Sequence, residues 1–345
     1  MLSMRSGLTF AAIVALMALV CPSPLCAGAS DKRLDVYWID VEGGAATLIV
    51  TPMGESVLID TGSHGRRDPG RIVKLAAEVG LKQIDHLIIT HYHGDHFGGA
   101  ATLARLMPIK AVYDNGLFEG IREKPDKEYL EFPAGRREVV SAGDELPLRQ
   151  GDLLLSLRCL CARQKTIAPP TTDLAANDLC REALGKPIDD SDNANSIVLL
   201  LGFGPFRFYG GGDLTWNVEK QLACPINLVG KIDVYQVTHH GLDMSNNPVL
   251  VKTLAPTVAV MNNSATKGCE PYTFTTLKEI PSLQALYQLH RNLSAESQLN
   301  TEAAYIANAE RKCAGNHIKL SVDPSGRNYV MSVPATNHER TFQTK

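Results

Sequence analysis

The sequence predicts a layered α/β fold with mixed sheets, and three observations carry that reading. Short apolar strands come in runs, with helix-spaced segments between them and Gly or Pro turns at their ends. Polar clusters follow four of these strands: Asp60, the loop from His91 to His96, Asp213, and the pair His239 and His240. Each cluster sits where a strand stops, so one edge of the sheets is positioned to gather all four.

The elements follow in chain order. Residues 34–41, 45–50 and 56–60 read as three strands, the third closing on Asp60-Thr61-Gly62. Pro69 to Val79 has helical spacing, with Ile72, Leu75, Ala76 and Val79 on one face. Residues 84–90 are an apolar strand that runs into His91-Tyr92-His93-Gly94-Asp95-His96. Residues 99–106 read as a helix ended near Pro108, and 111–113 as a short strand. Between 114 and 190 the pattern weakens. Charged stretches surround one clear strand at 153–160, which reads as an insertion over the face carrying the histidine loop. Strands at 196–201 and 206–209, a helix at 214–222, a strand at 232–238, a helix at 247–254 and a strand at 258–261 follow. A hairpin of 319–322 and 328–333 closes the chain.

The chain has 345 residues, 44% of them apolar and 21% charged, which suits one domain over 30–345 with a full core. A formal charge of −3 excludes a global field that gathers nucleic acid or holds a membrane surface. Nucleic acid would need a local basic rim, for which Arg66, Arg67, Arg122, Lys124, Arg136 and Arg137 are candidates. Residues 1–29 read as a signal peptide: Arg5, an apolar run from Leu8 to Val20, then Ala27-Gly28-Ala29 as cleavage site. That run is too short to span a bilayer, so the expectation is export to a periplasmic or secreted location, without stable membrane insertion after cleavage. Cys159, Cys161, Cys180, Cys224, Cys269 and Cys313 then remain, enough for up to three disulfides. Cys159 and Cys161 lie on one strand and are not expected to pair with each other; a bridge from one of them to Cys180 is a candidate staple, with buried free thiols as the alternative.

Imidazole nitrogen and carboxylate oxygen are the donors that suit zinc, iron or manganese. A histidine loop of the form H-x-H-x-D-H addresses two metals from one short segment. His86 lies inside a strand and reads as a core or edge histidine, while His290, His317 and His338 have no ligand spacing and are set aside.

Four segments together carry a resemblance: Val57-Leu58-Ile59-Asp60-Thr61-Gly62, the loop from His91 through Gly99, Tyr209-Gly210-Gly211-Gly212-Asp213, and Val237-Thr238-His239-His240-Gly241. The chain resembles the metallo-β-lactamase superfamily, and within it the branch related to the hydrolase domain of the DNA-uptake competence channel protein. The resemblance implies a four-layer αββα sandwich and two divalent metal ions, zinc with manganese as the alternative. It implies that His91 and His93 hold metal 1, that Asp95, His96 and His240 hold metal 2, and that Asp213 bridges them. Asp95 and His239 are the expected catalytic groups, with His239 touching substrate or donating a proton. Asp60 matches a position that fixes the histidine loop by hydrogen bonding. The chain departs from the fuller pattern because no histidine occurs between His96 and Asp213. Asp192, Asn193 or Asn195 is a candidate oxygen donor in its place, which shifts preference towards manganese.

The expected reaction is hydrolysis by a metal-activated water, on phosphodiesters in a nuclease-like manner. The alternatives are a carboxylic ester, lactone or β-lactam hydrolase, and a non-catalytic metal-binding protein. The substrate is a small molecule or nucleic acid, and no obligate protein partner is evident.

Overall fold

The computed structural model describes residues 28–169, 175–182, 184–294 and 299–345. The leader assigned to residues 1–29 lies outside them, apart from its last two positions. The strands are β1 (Leu34–Trp38), β2 (Thr47–Val50), β3 (Ser56–Ile59), β4 (Ile84–Ile88), β5 (Ile109–Asp114), β6 (Arg136–Val139), β7 (Leu155–Ala162), β8 (Lys165–Thr166) and β9 (Val198–Phe203). They continue as β10 (Phe206–Gly210), β11 (Val234–Gln236), β12 (Val258–Met261), β13 (Ala285–His290), β14 (Ile306–Asn308), β15 (Ile318–Val322), β16 (Asn328–Val333) and β17 (His338–Gln343). The helices are α1 (Arg67–Glu78), α2 (Gly94–Phe97), α3 (Ala100–Leu106), α4 (Lys127–Glu131), α5 (Trp216–Ala223), α6 (Pro248–Leu254) and α7 (Pro271–Lys278).

One sheet runs β17-β16-β15-β1-β2-β3-β4-β5-β6 and the other β14-β13-β12-β11-β10-β9-β7-β8. Both are mixed. Strands β3 to β6 run parallel, as do β10 to β14, and the remaining neighbours are antiparallel. Trp38, Phe206, Phe208, Tyr287 and Tyr329 fill the space between the sheets. The outer face of the first sheet packs on α1 and α3 through Ile72, Leu75, Ala100 and Leu103. The outer face of the second packs on α5, α6 and α7 through Leu222, Leu250, Val251 and Leu277. These four layers are the αββα sandwich. Strands buried on both faces explain the near-continuous apolar runs at β3 and β9.

Parallel strands put their C-terminal ends at one edge, which is why the polar clusters meet. β3 delivers Asp60, β4 the histidine loop, β10 Asp213, and β11 the pair His239 and His240. The sheets are tied at this edge: Trp38 Nε1 donates to Gln236 Oε1 at 2.9 Å and Ile197 N to the Thr90 carbonyl at 2.9 Å.

The stretch expected as an insertion, 114–190, supplies strands to both sheets. β6 extends the first sheet beside β5, and β7 and β8 form one side of the second. The disulfide expectation is corrected. Cys180 bridges Cys224, and no bridge joins Cys180 to Cys159 or Cys161. Cys159 faces the space between the sheets and Cys161 the helix-covered side, because the pairing of β7 with β9 shifts register between them and breaks the alternation that would put positions i and i+2 on one face, so each thiol is enclosed in apolar core. Among the described residues this is one disulfide, with Cys269 and Cys313 also unpaired.

Candidate metal centre

Asp213 is the hub. Its Oδ2 lies 3.2 Å from His96 Nε2, 3.4 Å from both His239 Nε2 and His240 Nε2, and 3.9 Å from His91 Nε2. Asp95 Oδ2 stands 3.6 Å from His240 Nε2 and 3.9 Å from His96 Nε2. Two overlapping triads result: His91, His96 and Asp213, and Asp95, His96 and His240. His91, His96, His240 and Asp213 are buried, so their donors face one another rather than water.

Each inward-facing imidazole is held from behind. Asp60 accepts from Thr90 N and Thr90 Oγ1 at 2.8 Å and pairs with His96 Nδ1 at 2.8 Å. His240 Nδ1 meets the Asn262 carbonyl at 3.2 Å, which places its proton on Nδ1 and a lone pair on Nε2. His239 Nδ1 meets Ser245 Oγ at 3.1 Å. Left-handed backbone aims this pair, with φ of +55° at His239, +54° at His240 and +84° at Gly241. Three such residues in a row cost roughly 1–3 kcal/mol at each non-glycine position, a strain typical of functional sites. Close packing holds the loop too: a Cβ at Gly44 would sit 2.2 Å from the Asp95 carbonyl oxygen.

The electrostatics favour a cation. Burial pushes Asp213 up, but His96, His240 and His239 outweigh it and hold the carboxyl well below the usual range. Burial, reinforced by the neighbouring His96, pushes His91 well down, so its imidazole is neutral as a ligand must be. Burial also pushes His239 down to about 4. His91 Nε2 is enclosed and has no hydrogen-bond partner. An orphaned imidazole nitrogen facing a shared carboxylate, in a set of nitrogen and oxygen donors without sulfur, fits divalent zinc or manganese.

The remaining expected residues fall differently. His93 lies outside both triads. Its Nε2 pairs with Glu123 Oε2 at 2.7 Å, while its ring stays 4.7 Å from that of His91. Asp192 is committed: Oδ2 accepts from Tyr92 N at 2.6 Å and Oδ1 from Asn195 Nδ2 at 2.9 Å. Asn195 Oδ1 accepts from Gln164. Asn193 Oδ1 alone of the three is buried without a partner.

Two residues at the centre carry no motif. Lys267 Nζ stands 2.5 Å from Asp95 Oδ2, brought there by the loop after β12. Glu123 pairs with His93 and also accepts from Asp192 N at 2.8 Å. Sequence reading passed over both because an isolated charge in a polar loop has no spacing to mark it. The proposed basic rim is mostly neutralised. Arg67 pairs with Glu42 and Asp68, Arg122 with Asp190 and Arg136 with Glu138, and Arg137 stacks on Phe132.

Residues 39–173 match the family model described as Metallo-beta-lactamase superfamily. Recombination protein 2 of Haemophilus influenzae is 27% identical over 77% of this chain and 28% of its own length. ComE operon protein 3 of Bacillus subtilis is 28% identical over 66% of this chain and 28% of its own length. Competence protein ComA of Neisseria gonorrhoeae is 24% identical over 64% of this chain and 26% of its own length. The chain thus spans just over a quarter of the length of these curated relatives.

Proposed function

Because the chain carries a metallo-β-lactamase superfamily domain with relatives of the competence type, we propose that it is an exported dinuclear metallohydrolase acting on phosphodiesters. The observation that carries the dinuclear reading is the single Asp213 oxygen shared among four imidazoles, with Asp95 beside two of them. His91, His93 and Asp213 would hold one ion, with Asn193 as the added oxygen donor. Asp95, His96, His240 and Asp213 would hold the other. Two bound divalent ions supply Lewis acidity and a nucleophile drawn from water near neutral pH.

The chain's own groups do the rest. Asp60 and the Asn262 carbonyl orient His96 and His240 so that the Nε2 of each faces Asp213. Lys267 supplies a positive charge at the mouth, 38% exposed, where a phosphate oxygen would meet it. This favours an anionic substrate over a neutral ester. His239, with its Nδ1 proton held by Ser245 Oγ, turns a bare Nε2 towards Asp213 and is the group that meets substrate. The leader-like N-terminus and the Cys180–Cys224 bridge support export. No helix among the described residues is long and apolar enough to cross a membrane.

The test is a substrate panel with Zn(II) and Mn(II): bis(p-nitrophenyl) phosphate, single-stranded DNA, a lactone and nitrocefin. Hydrolysis of the first two is expected. Turnover of nitrocefin or the lactone alone would assign the ester and lactam reading instead.

A further inference from the structure

A second constellation of donors lies outside this centre and shares no residue with it. Asp40 follows β1, His290 ends β13, and Cys313 lies between β14 and β15. His290 Nε2 is 2.7 Å from Asp40 Oδ1, Cys313 Sγ is 3.1 Å from Asp40 Oδ2, and Cys313 Sγ is 3.9 Å from His290 Nε2. Asp40 and His290 are buried, and Cys313 is partly exposed. We propose that Asp40, His290 and Cys313 form a separate mononuclear site for a thiophilic divalent cation such as zinc.

Carboxylate, imidazole and thiolate are the three side-chain donors zinc accepts, and all three converge here from distant parts of the chain. Three protein donors with one on the solvent side leave a fourth position for water. His290 Nδ1 is buried without a partner, so nothing behind the ring fixes the proton on Nε2. Binding moves that proton to Nδ1 and releases the Cys313 thiol proton to solvent, leaving lone pairs on Nε2 and Sγ. Charge balances as well. Arg71 bonds Asp40 Oδ2 at 3.0 Å, the Asp40 carbonyl at 2.9 Å and Glu42 at 2.9 Å. With a divalent cation added, its two charges and that of Arg71 offset Asp40, Glu42 and the Cys313 thiolate. The competing account is a polar network complete without metal, in which Cys313 stays a thiol.

Cobalt(II) separates the two. The metal-stripped full chain loaded with Co(II) is expected to show a near-ultraviolet thiolate-to-cobalt charge-transfer band. The first centre has no sulfur donor, so the band should survive Asp213→Ala and vanish in Cys313→Ser. No band in the unsubstituted chain, or a band that persists in Cys313→Ser, overturns the proposal. A second measurement needs no variant. Among the described unpaired cysteines Cys313 alone is not buried. Its reaction with an aromatic disulfide reagent is expected to slow about tenfold or more when Zn(II) is present, since the free thiolate is the nucleophile. Equal rates with and without Zn(II) also overturn it.

Discussion

Asp60 shows how much one side chain settles. Its two oxygens take the Thr90 amide, the Thr90 hydroxyl and His96 Nδ1, so a single carboxylate fixes both the loop's entry and the direction of His96. Asp60→Asn is expected to weaken metal binding by roughly 10–100-fold, measured by competition with a chromophoric chelator. Glu123 is expected to act on His93 in the same way, holding the proton on Nε2 and leaving Nδ1 with the lone pair. Nitrogen-15 shifts of His93 in the metal-free protein should report the Nε2–H tautomer, and Glu123→Ala should mix the two forms. The contrast between these carboxylates explains what the sequence revealed. Asp60 ends a strand in a recognisable Asp-Thr-Gly turn, whereas Glu123 sits in a run of mixed charges, between Arg122 and Lys124, whose default is solvent.

The His239–Gly241 turn is the element on which the centre most depends, because successive left-handed residues project both rings inward. Gly241→Ala places a methyl 2.8 Å from Met261 Sδ at φ +84°. It is expected to destabilise the fold by roughly 1–3 kcal/mol in urea unfolding and to weaken metal binding. Beneath the turn, α5 carries Glu219, which accepts from Asn247 N at 2.7 Å. Burial pushes Glu219 up to about 7, against an ordinary 4.5. A carboxyl raised in the folded state contributes its stability fully below its unfolded value and loses it as pH rises through the folded one. Glu219 should therefore cost a few kcal/mol between pH 4.5 and 7, and Glu219→Gln should flatten that part of the urea-stability profile. Strands β3 and β9, buried on both faces, were legible because burial writes itself as an apolar run. The edge strands β6 and β17 were not: Arg136–Val139 is fully exposed and His338–Gln343 mostly polar, so neither carries a burial signal.

Across the whole molecule, the sandwich brings residues that are far apart in sequence to one edge. Asp60, Asp213 and His240 were readable because each follows its own apolar strand. Lys267, and the set of Asp40, His290 and Cys313 whose ends are 273 positions apart, were not, since only the sheet order makes them neighbours. Loss of Asp213 should thus be felt by the entire centre, lowering metal affinity by at least the roughly 10–100-fold seen when supporting groups are removed. The most direct test is hydrolysis of bis(p-nitrophenyl) phosphate by chelator-stripped protein before and after Zn(II) or Mn(II) is returned. The expected result is activity that vanishes on stripping, returns with metal, and is not restored in Asp213→Ala. Hydrolysis that persists in the stripped protein, or is undiminished in Asp213→Ala, would contradict the two-metal account.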